Sequence, residues 1–201
     1  MPSPAPPVKD DALARLLLER SYLESELEEF VLTSGQRSRF YFDCKRTTFH
    51  APAIALIGQA FLSRIRDGEM RPTAVGGLTQ GSDPIALAIA AESQKRGCPV
   101  DAFSVRKQPK QHGTRNWIEN APPPGSRVLI VDDVVTSGGS VIDAIERCRD
   151  RERLEVVQVL VLVDREAGGM ERIRECAGEG IPVAPVFTRS QLEQLEPLEQ
   201  S

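Results

Sequence analysis

The chain has 201 residues, 40% of them hydrophobic and 27% charged, with a formal net charge of -4. That is enough apolar material for one compact domain with at most a small accessory part. It excludes a broad basic footprint for nucleic acid, and no apolar run reaches membrane-spanning length. The four cysteines (Cys44, Cys98, Cys148, Cys176) form no CxxC pair and only two histidines accompany them, so neither a zinc site nor a disulfide framework is expected. The opening MPSPAPPVKD lacks the apolar segment of a secretory signal. Residues 1–9 read as a flexible tail and a cytoplasmic location is the expectation.

In chain order, Leu13, Leu16, Leu17, Leu23 and Leu27 recur at helical spacing and predict a helix over 10–32. Phe30, Val31 and Leu32 either continue it or form a short extended piece. TSGQRSRFYFD reads as a turn and strand, and 51–66 as a helix with Pro52 in its first turn. A strand is predicted over 73–77, then a helix over 83–95 with Asp83 as cap and Pro84 at its first position. Next come a strand over 100–105 and a polar, Pro/Gly-rich connection over 107–124, read as a mobile loop or arm with Trp117 and Ile118 as apolar islands. Strands over 127–132, 156–164 and 182–187 alternate with helices over 139–149, 170–176 and 191–195. This alternation predicts an α/β fold, a mainly parallel central sheet flanked by helices. VVQVLVLVD suits a strand buried on both faces. The first helix and first extended segment, about 10–48, are expected to form a small N-terminal hood on a single domain over 10–195, leaving 196–201 as a tail.

The chemistry concentrates in VLIVDDVVTSGGS, residues 128–140. In open parallel sheets ligands collect at the C-terminal strand ends, where this apolar strand delivers Asp132 and Asp133. A buried unpaired carboxylate is costly; at the strand mouth the pair can accept hydrogen bonds from ligand hydroxyls or approach a metal-bound substrate. Thr136, Ser137, Gly138, Gly139 and Ser140 then lead into a helix, where converging N–H groups and hydroxyls favour an anion. Alone, TSGG is better explained by a cap and tight turn. Strand, paired acids and turn in succession read as a pocket for a phosphorylated sugar. In VRKQPKQHGT, Arg106, Lys107, Lys110 and His112 can neutralise a pyrophosphate or form a solvated basic loop. GGLTQG, residues 76–81, permits close backbone approach to an anion, and Arg165 after its strand can grip a planar carboxylate or pair with Glu166.

VLIVDDVVTSGGS closely resembles the phosphoribosyl pyrophosphate signature of type I phosphoribosyltransferases. FVLTSGQRSRFYFD at 30–43, VGGLTQGSDPIA at 75–86, VRKQPKQHGT at 105–114 and VDRE at 163–166 resemble the corresponding segments of the orotate phosphoribosyltransferases, over about residues 12–195. The resemblance implies the type I phosphoribosyltransferase fold and transfer of phosphoribose from phosphoribosyl pyrophosphate to orotate, with Mg²⁺ arriving on the substrate. It implies that Asp132 and Asp133 hold the ribose, that residues 136–140 cradle the 5'-phosphate, and that Val134 and Val135 between these segments also bind substrate. Arg106, Lys107, Lys110 and His112 face pyrophosphate, helped by Thr79 and Gln80. Arg165, Thr136, Tyr41 and Phe42 face the base, although each aromatic is as readily a core residue. Asp43, Lys45 and Arg46 are read as local structural or surface charges. Some relatives carry lysine at the positions of Thr33 and Gln80. A homodimer sharing the 106–114 loop between subunits is implied, with neither nucleic acid nor membrane as partner. The alternatives are a phosphoribosyltransferase for another nucleobase and a noncatalytic pyrimidine-responsive regulator.

Overall fold

In the computed structural model, residues 8–24, 30–31, 37–38, 40–109 and 117–195 are described. The N-terminal part comprises α1 (Val8–Ser21), β1 (Tyr22–Glu24), β2 (Phe30–Val31), β3 (Arg37–Ser38), β4 (Phe40–Phe42), α2 (Lys45–Thr48) and α3 (Ala51–Leu62). The sheet region follows with β5 (Ala74–Leu78), α4 (Asp83–Lys95), β6 (Asp101–Val105), β7 (Ile118–Glu119), β8 (Arg127–Val135), α5 (Gly139–Glu152), β9 (Glu155–Asp164), α6 (Gly169–Ala177), β10 (Val183–Thr188) and α7 (Arg189–Glu193).

Six strands form one sheet in the order β10-β9-β8-β5-β6-β7, parallel except for β7. The predicted α/β class and mainly parallel sheet are therefore present. β9 is buried along all but its ends, as its unbroken apolar run requires. Alternation along β8 sends Leu129 and Val131 into the core under α1, α3 and α4, and Val128 and Ile130 into the core under α5 and α6. Among the described residues, no helix is long and apolar enough to cross a membrane.

Four local expectations need correction. The helix predicted over 10–32 stops at Ser21, because the Ser21 carbonyl is taken by the Asp43 N–H at 2.9 Å and the next three residues pair antiparallel with β4. The helix predicted to Arg66 stops at Leu62. The buried Gln158 side chain takes over the backbone there, donating to the Arg64 carbonyl at 2.7 Å and accepting from the Arg66 N–H at 3.0 Å. The expected irregular connection over 107–124 contains β7, since Ile118 buries its side chain and pairs with Val105. Asp83 is not a cap: its carboxylate accepts from the Thr79 hydroxyl at 2.6 Å and the Ser104 hydroxyl at 2.7 Å, while Ser82 precedes the helix.

Candidate active site

The site arises where neighbouring strands end at different heights. β5 pairs with β8 only as far as Gly76 opposite Ile130, whereas β8 stays bonded to β9 out to Val135 opposite Asp164. The connection out of β5 leads to β6 on one side, whereas the connection out of the adjacent β8 leads to β9 on the other, which is the switch point where α/β sheets open a crevice. The crevice is a cavity of about 450 Å³, within the usual range for small-molecule sites. Residues 132–140 line one wall, Thr79, Gln80 and Gly81 a second, and Lys45 and Lys107 contribute cations.

The predicted strand end at Asp132 is corrected, since β8 continues through both acids to Val135. Asp132 and Asp133 are each only 5% exposed. The Asp133 N–H donates to Asp132 Oδ1 at 3.0 Å, and Asp133 Oδ2 is buried without a hydrogen-bond partner among the described residues. Burial pushes both carboxyls above the ordinary carboxylate range; the neighbouring Asp133 charge adds to this at Asp132, and Lys45 opposes it at both. Both Oδ1 atoms converge on Gly81, where a Cβ would lie 2.6 Å from each. Only glycine lets the 79–81 loop, whose Thr79–Gln80 peptide is cis, close over the acids. The pair presents carboxylate oxygens that can accept from hydroxyls or face a cation. Hard carboxylate oxygens, one of them unpartnered, suit contact with a hydrated Mg²⁺, although among the described residues no group of three or more His, Cys, Asp or Glu side chains forms a metal cage.

The 136–140 turn takes its shape from Gly138, whose φ of 82° favours glycine. The Ile142 N–H bonds back to the Gly138 carbonyl at 3.0 Å, so the amides ahead of it have no carbonyl one turn behind and are available to an anion. From α6, Arg172 donates to the Ser137 carbonyl at 2.8 Å and holds the turn from outside. Thr136 through Ser140 all line the cavity, as do the predicted Val134, Val135, Thr79 and Gln80.

The other predicted residues divide. Lys107 lines the cavity. Arg106 lines an adjoining one with Thr79 and Lys107, and its guanidinium is engaged by Glu119 at 2.5 Å. Lys110 and His112 lie outside the described residues, as does Thr33, and the side chain of Tyr41 is likewise not described. Phe42 is 3% exposed and packs on Tyr22 with ring centroids 5.1 Å apart, filling the core. Arg165 is buried just beyond β9, outside the described lining of the cavity; its neighbour Glu166 accepts from the backbone N–H and hydroxyl of Ser190. Lys45, read from sequence as a local or surface charge, is exposed, and it also lines the cavity, where its charge lowers the pKa of both acids. It sits on a four-residue helix with no periodic signal, so nothing in the sequence pointed it at a strand about ninety residues away. All four cysteines are free, and burial holds Cys44 and Cys148 as protonated thiols, the latter pushed up to about 12.

The phosphoribosyl transferase domain family matches residues 46–182. The chain is similar to orotate phosphoribosyltransferase of Aquifex aeolicus (strain VF5), 44% identical over 182 residues, 90% of this chain and 96% of that protein. Among solved structures it is similar to Mycobacterium tuberculosis H37Rv orotate phosphoribosyltransferase in complex with Fe(III) dicitrate, with a TM-score of 0.76 and 36% identity over 92% of this chain and 98% of that one. The same Mycobacterium tuberculosis enzyme in complex with 5-phospho-alpha-D-ribosyl 1-diphosphate gives a TM-score of 0.72 at 35% identity, over 92% and 99% of the two chains. A switch-point cavity with paired acids, a phosphate-ready turn and this degree of likeness lead to one assignment: the chain belongs to the orotate phosphoribosyltransferases, of type I phosphoribosyltransferase fold.

Proposed function

We propose that the protein transfers the 5-phosphoribosyl group of phosphoribosyl pyrophosphate to orotate, giving orotidine 5'-monophosphate and pyrophosphate in pyrimidine nucleotide synthesis. The observation that carries this reading is the convergence of Asp132, Asp133, the 136–140 turn and Lys107 on one cavity. The turn receives the 5'-phosphate through its amides and hydroxyls. The acids accept from the ribose 2'- and 3'-hydroxyls, which gives the orphaned Asp133 Oδ2 a donor. The bond from C1 to the pyrophosphate oxygen breaks as a bond from C1 to a ring nitrogen of orotate forms on the opposite face. Negative potential from the acids stabilises the positive charge that develops on the ribose. Lys107, with Arg106, Lys110 and His112, stabilises the departing pyrophosphate, and Thr79 and Gln80 approach it from the loop. Arg165 and Thr136 hold orotate, with Tyr41 and Phe42 shaping the base side. Orotate's nitrogen is already acidic, so no strong protein base is assigned, and positioning and electrostatics account for the rate.

Mg²⁺ belongs to this reading as an ion brought in with the substrate, and Asp132 and Asp133 would be the residues beside it. When bound, it neutralises phosphate charge. A homodimer sharing the 106–114 loop also belongs to it; the exposed Phe49, Ile54 and Leu87 on and beside the adjacent helices α3 and α4 offer apolar surface for a second copy. The test is a panel of bases with phosphoribosyl pyrophosphate and Mg²⁺, following nucleotide and pyrophosphate. Turnover of orotate is expected; turnover of a purine or of uracil with none of orotate overturns the assignment.

A further inference from the structure

Lys107 can meet a ligand only if its backbone is aimed at the cavity, and the surrounding contacts account for that aim. The peptide group joining Arg106 to Lys107 is planar, so fixing the Arg106 carbonyl fixes the direction in which Lys107 leaves. That carbonyl accepts from Arg147 Nη1 at 2.9 Å. On the other side of the residue, the Arg106 N–H donates to the Trp117 carbonyl at 2.8 Å, the last rung among the described residues between the two stems of the 106–117 connection. The same Arg147 guanidinium lies over the Trp117 ring, 4.8 Å from its centroid, an attractive arrangement for a cation. Its Nη2 is steadied by Asp143 Oδ2 at 3.0 Å, one turn back on α5, and the side chain is only 19% exposed. This guanidinium thus meets the Arg106–Lys107 peptide and the opposite stem at once, while Asp143 holds it from its own helix.

Arg147 also sits on the helix whose first turn forms the phosphate cradle. Eight residues separate Gly139 from Arg147, about 12 Å along an α-helix. α5 is therefore a rigid strut with the anion-ready turn at one end and the support of Lys107 further along. Nothing in the sequence marks Arg147 among the 25 Lys and Arg residues.

We infer that Arg147 is a positioning residue, and that with Trp117 it sets the distance between the phosphate cradle and Lys107, and so the length of the phosphoribosyl pyrophosphate that the cavity accepts. This rests on the reading of Lys107 as a pyrophosphate contact. The experiment uses the full chain and its Arg147→Met and Arg147→Lys variants, with calorimetric binding of Mg²⁺–pyrophosphate and, separately, of ribose 5-phosphate. Arg147→Met is expected to weaken pyrophosphate tenfold or more and to leave ribose 5-phosphate within about twofold. Arg147→Lys, able to keep one hydrogen bond and the ring contact, should recover part of the loss. Trp117 is the only tryptophan, so its emission should differ between the wild type and Arg147→Met before any ligand is added. Equal weakening of both ligands would mark a merely structural role and overturn the inference. So would unchanged pyrophosphate affinity, absence of pyrophosphate binding in the wild type, or identical emission. Failure of the wild type to turn over orotate would sink the proposed activity while leaving this comparison of two ligands intact.

Discussion

At the scale of single residues, the acid pair governs both chemistry and stability. A carboxyl whose pKa is raised on folding binds its proton more readily in the folded than in the unfolded state. The unliganded protein should therefore lose stability as pH rises from the ordinary carboxylate range, about 4, through the raised values of Asp132 and Asp133, and remain at the lower level above them. Asp133→Asn removes one of the buried charges. Its melting temperature at pH 8 is expected to exceed the wild type by roughly 2–4 °C, the equivalent of about 1 kcal/mol, while its turnover falls about 100-fold or more, as electrostatic contacts at a reacting centre typically cost. Thermal melts at pH 5 and pH 8 with a steady-state assay check this; a variant no more stable than wild type at pH 8 contradicts the buried-charge account. Lys45 lowers the pKa of both acids, so Lys45→Ala should move the acidic limb of kcat/KM to higher pH. An unmoved limb would return Lys45 to the surface role that its sequence context suggested. Lys107→Ala should lower turnover far more than it lowers the melting temperature, and near-wild-type turnover would contradict the pyrophosphate contact.

At the scale of elements, the sheet's uneven strand ends make the cavity and the turns make its walls. The closure of the 79–81 loop over the acids depends on Gly81 having no side chain. Gly81→Ala is expected to weaken phosphoribosyl pyrophosphate binding at least tenfold, measured by calorimetry, because the loop must withdraw to clear two carboxylates; unchanged affinity would show that the loop has room to spare. Gln158 is the polar residue within the buried run Val156–Val163 of β9, and it ties the chain after α3 to the sheet. Gln158→Leu removes two part-buried hydrogen bonds to the backbone at Arg64 and Arg66, and a loss of about 1 kcal/mol is expected, read from denaturant unfolding. Element boundaries were legible where composition changed abruptly, as at Asp83–Lys95, whose two ends match the prediction. They were illegible where a distant residue decided them. Ser21 ends α1 because Asp43 takes its carbonyl, and Leu62 ends α3 because Gln158 takes the next backbone groups.

At the scale of the whole molecule, two cores sandwich one sheet, and the site lies on the seam between them. α3 and α4 cover the face that Leu129 and Val131 enter, and α5 and α6 cover the other. Adjacent strand residues point to opposite faces, yet Asp132 and Asp133 serve one cavity because the sheet has opened on the β5 side by the time β8 reaches them. The proposed dimer is tested at this scale. Mixing Asp133→Asn subunits with Lys110→Ala subunits should restore activity in verified mixed dimers if the loop beyond Lys107 serves the neighbour's acids. No recovery would confine each site to a single chain.

By itself the sequence determined the α/β order of elements, the donor half of the site and the family resemblance, because strand hydrophobicity, the acid pair and the small-residue turn are all contiguous in VLIVDDVVTSGGS. Contiguous residues share one stretch of backbone, so their relative placement follows from local geometry. Only the tertiary structure decided that Lys45 faces the acids, that Asp83 ties Thr79 to Ser104, and that Arg147 and Trp117 hold the peptide ahead of Lys107. Those contacts join segments far apart in the chain, and their energy exists only once packing has brought the segments together.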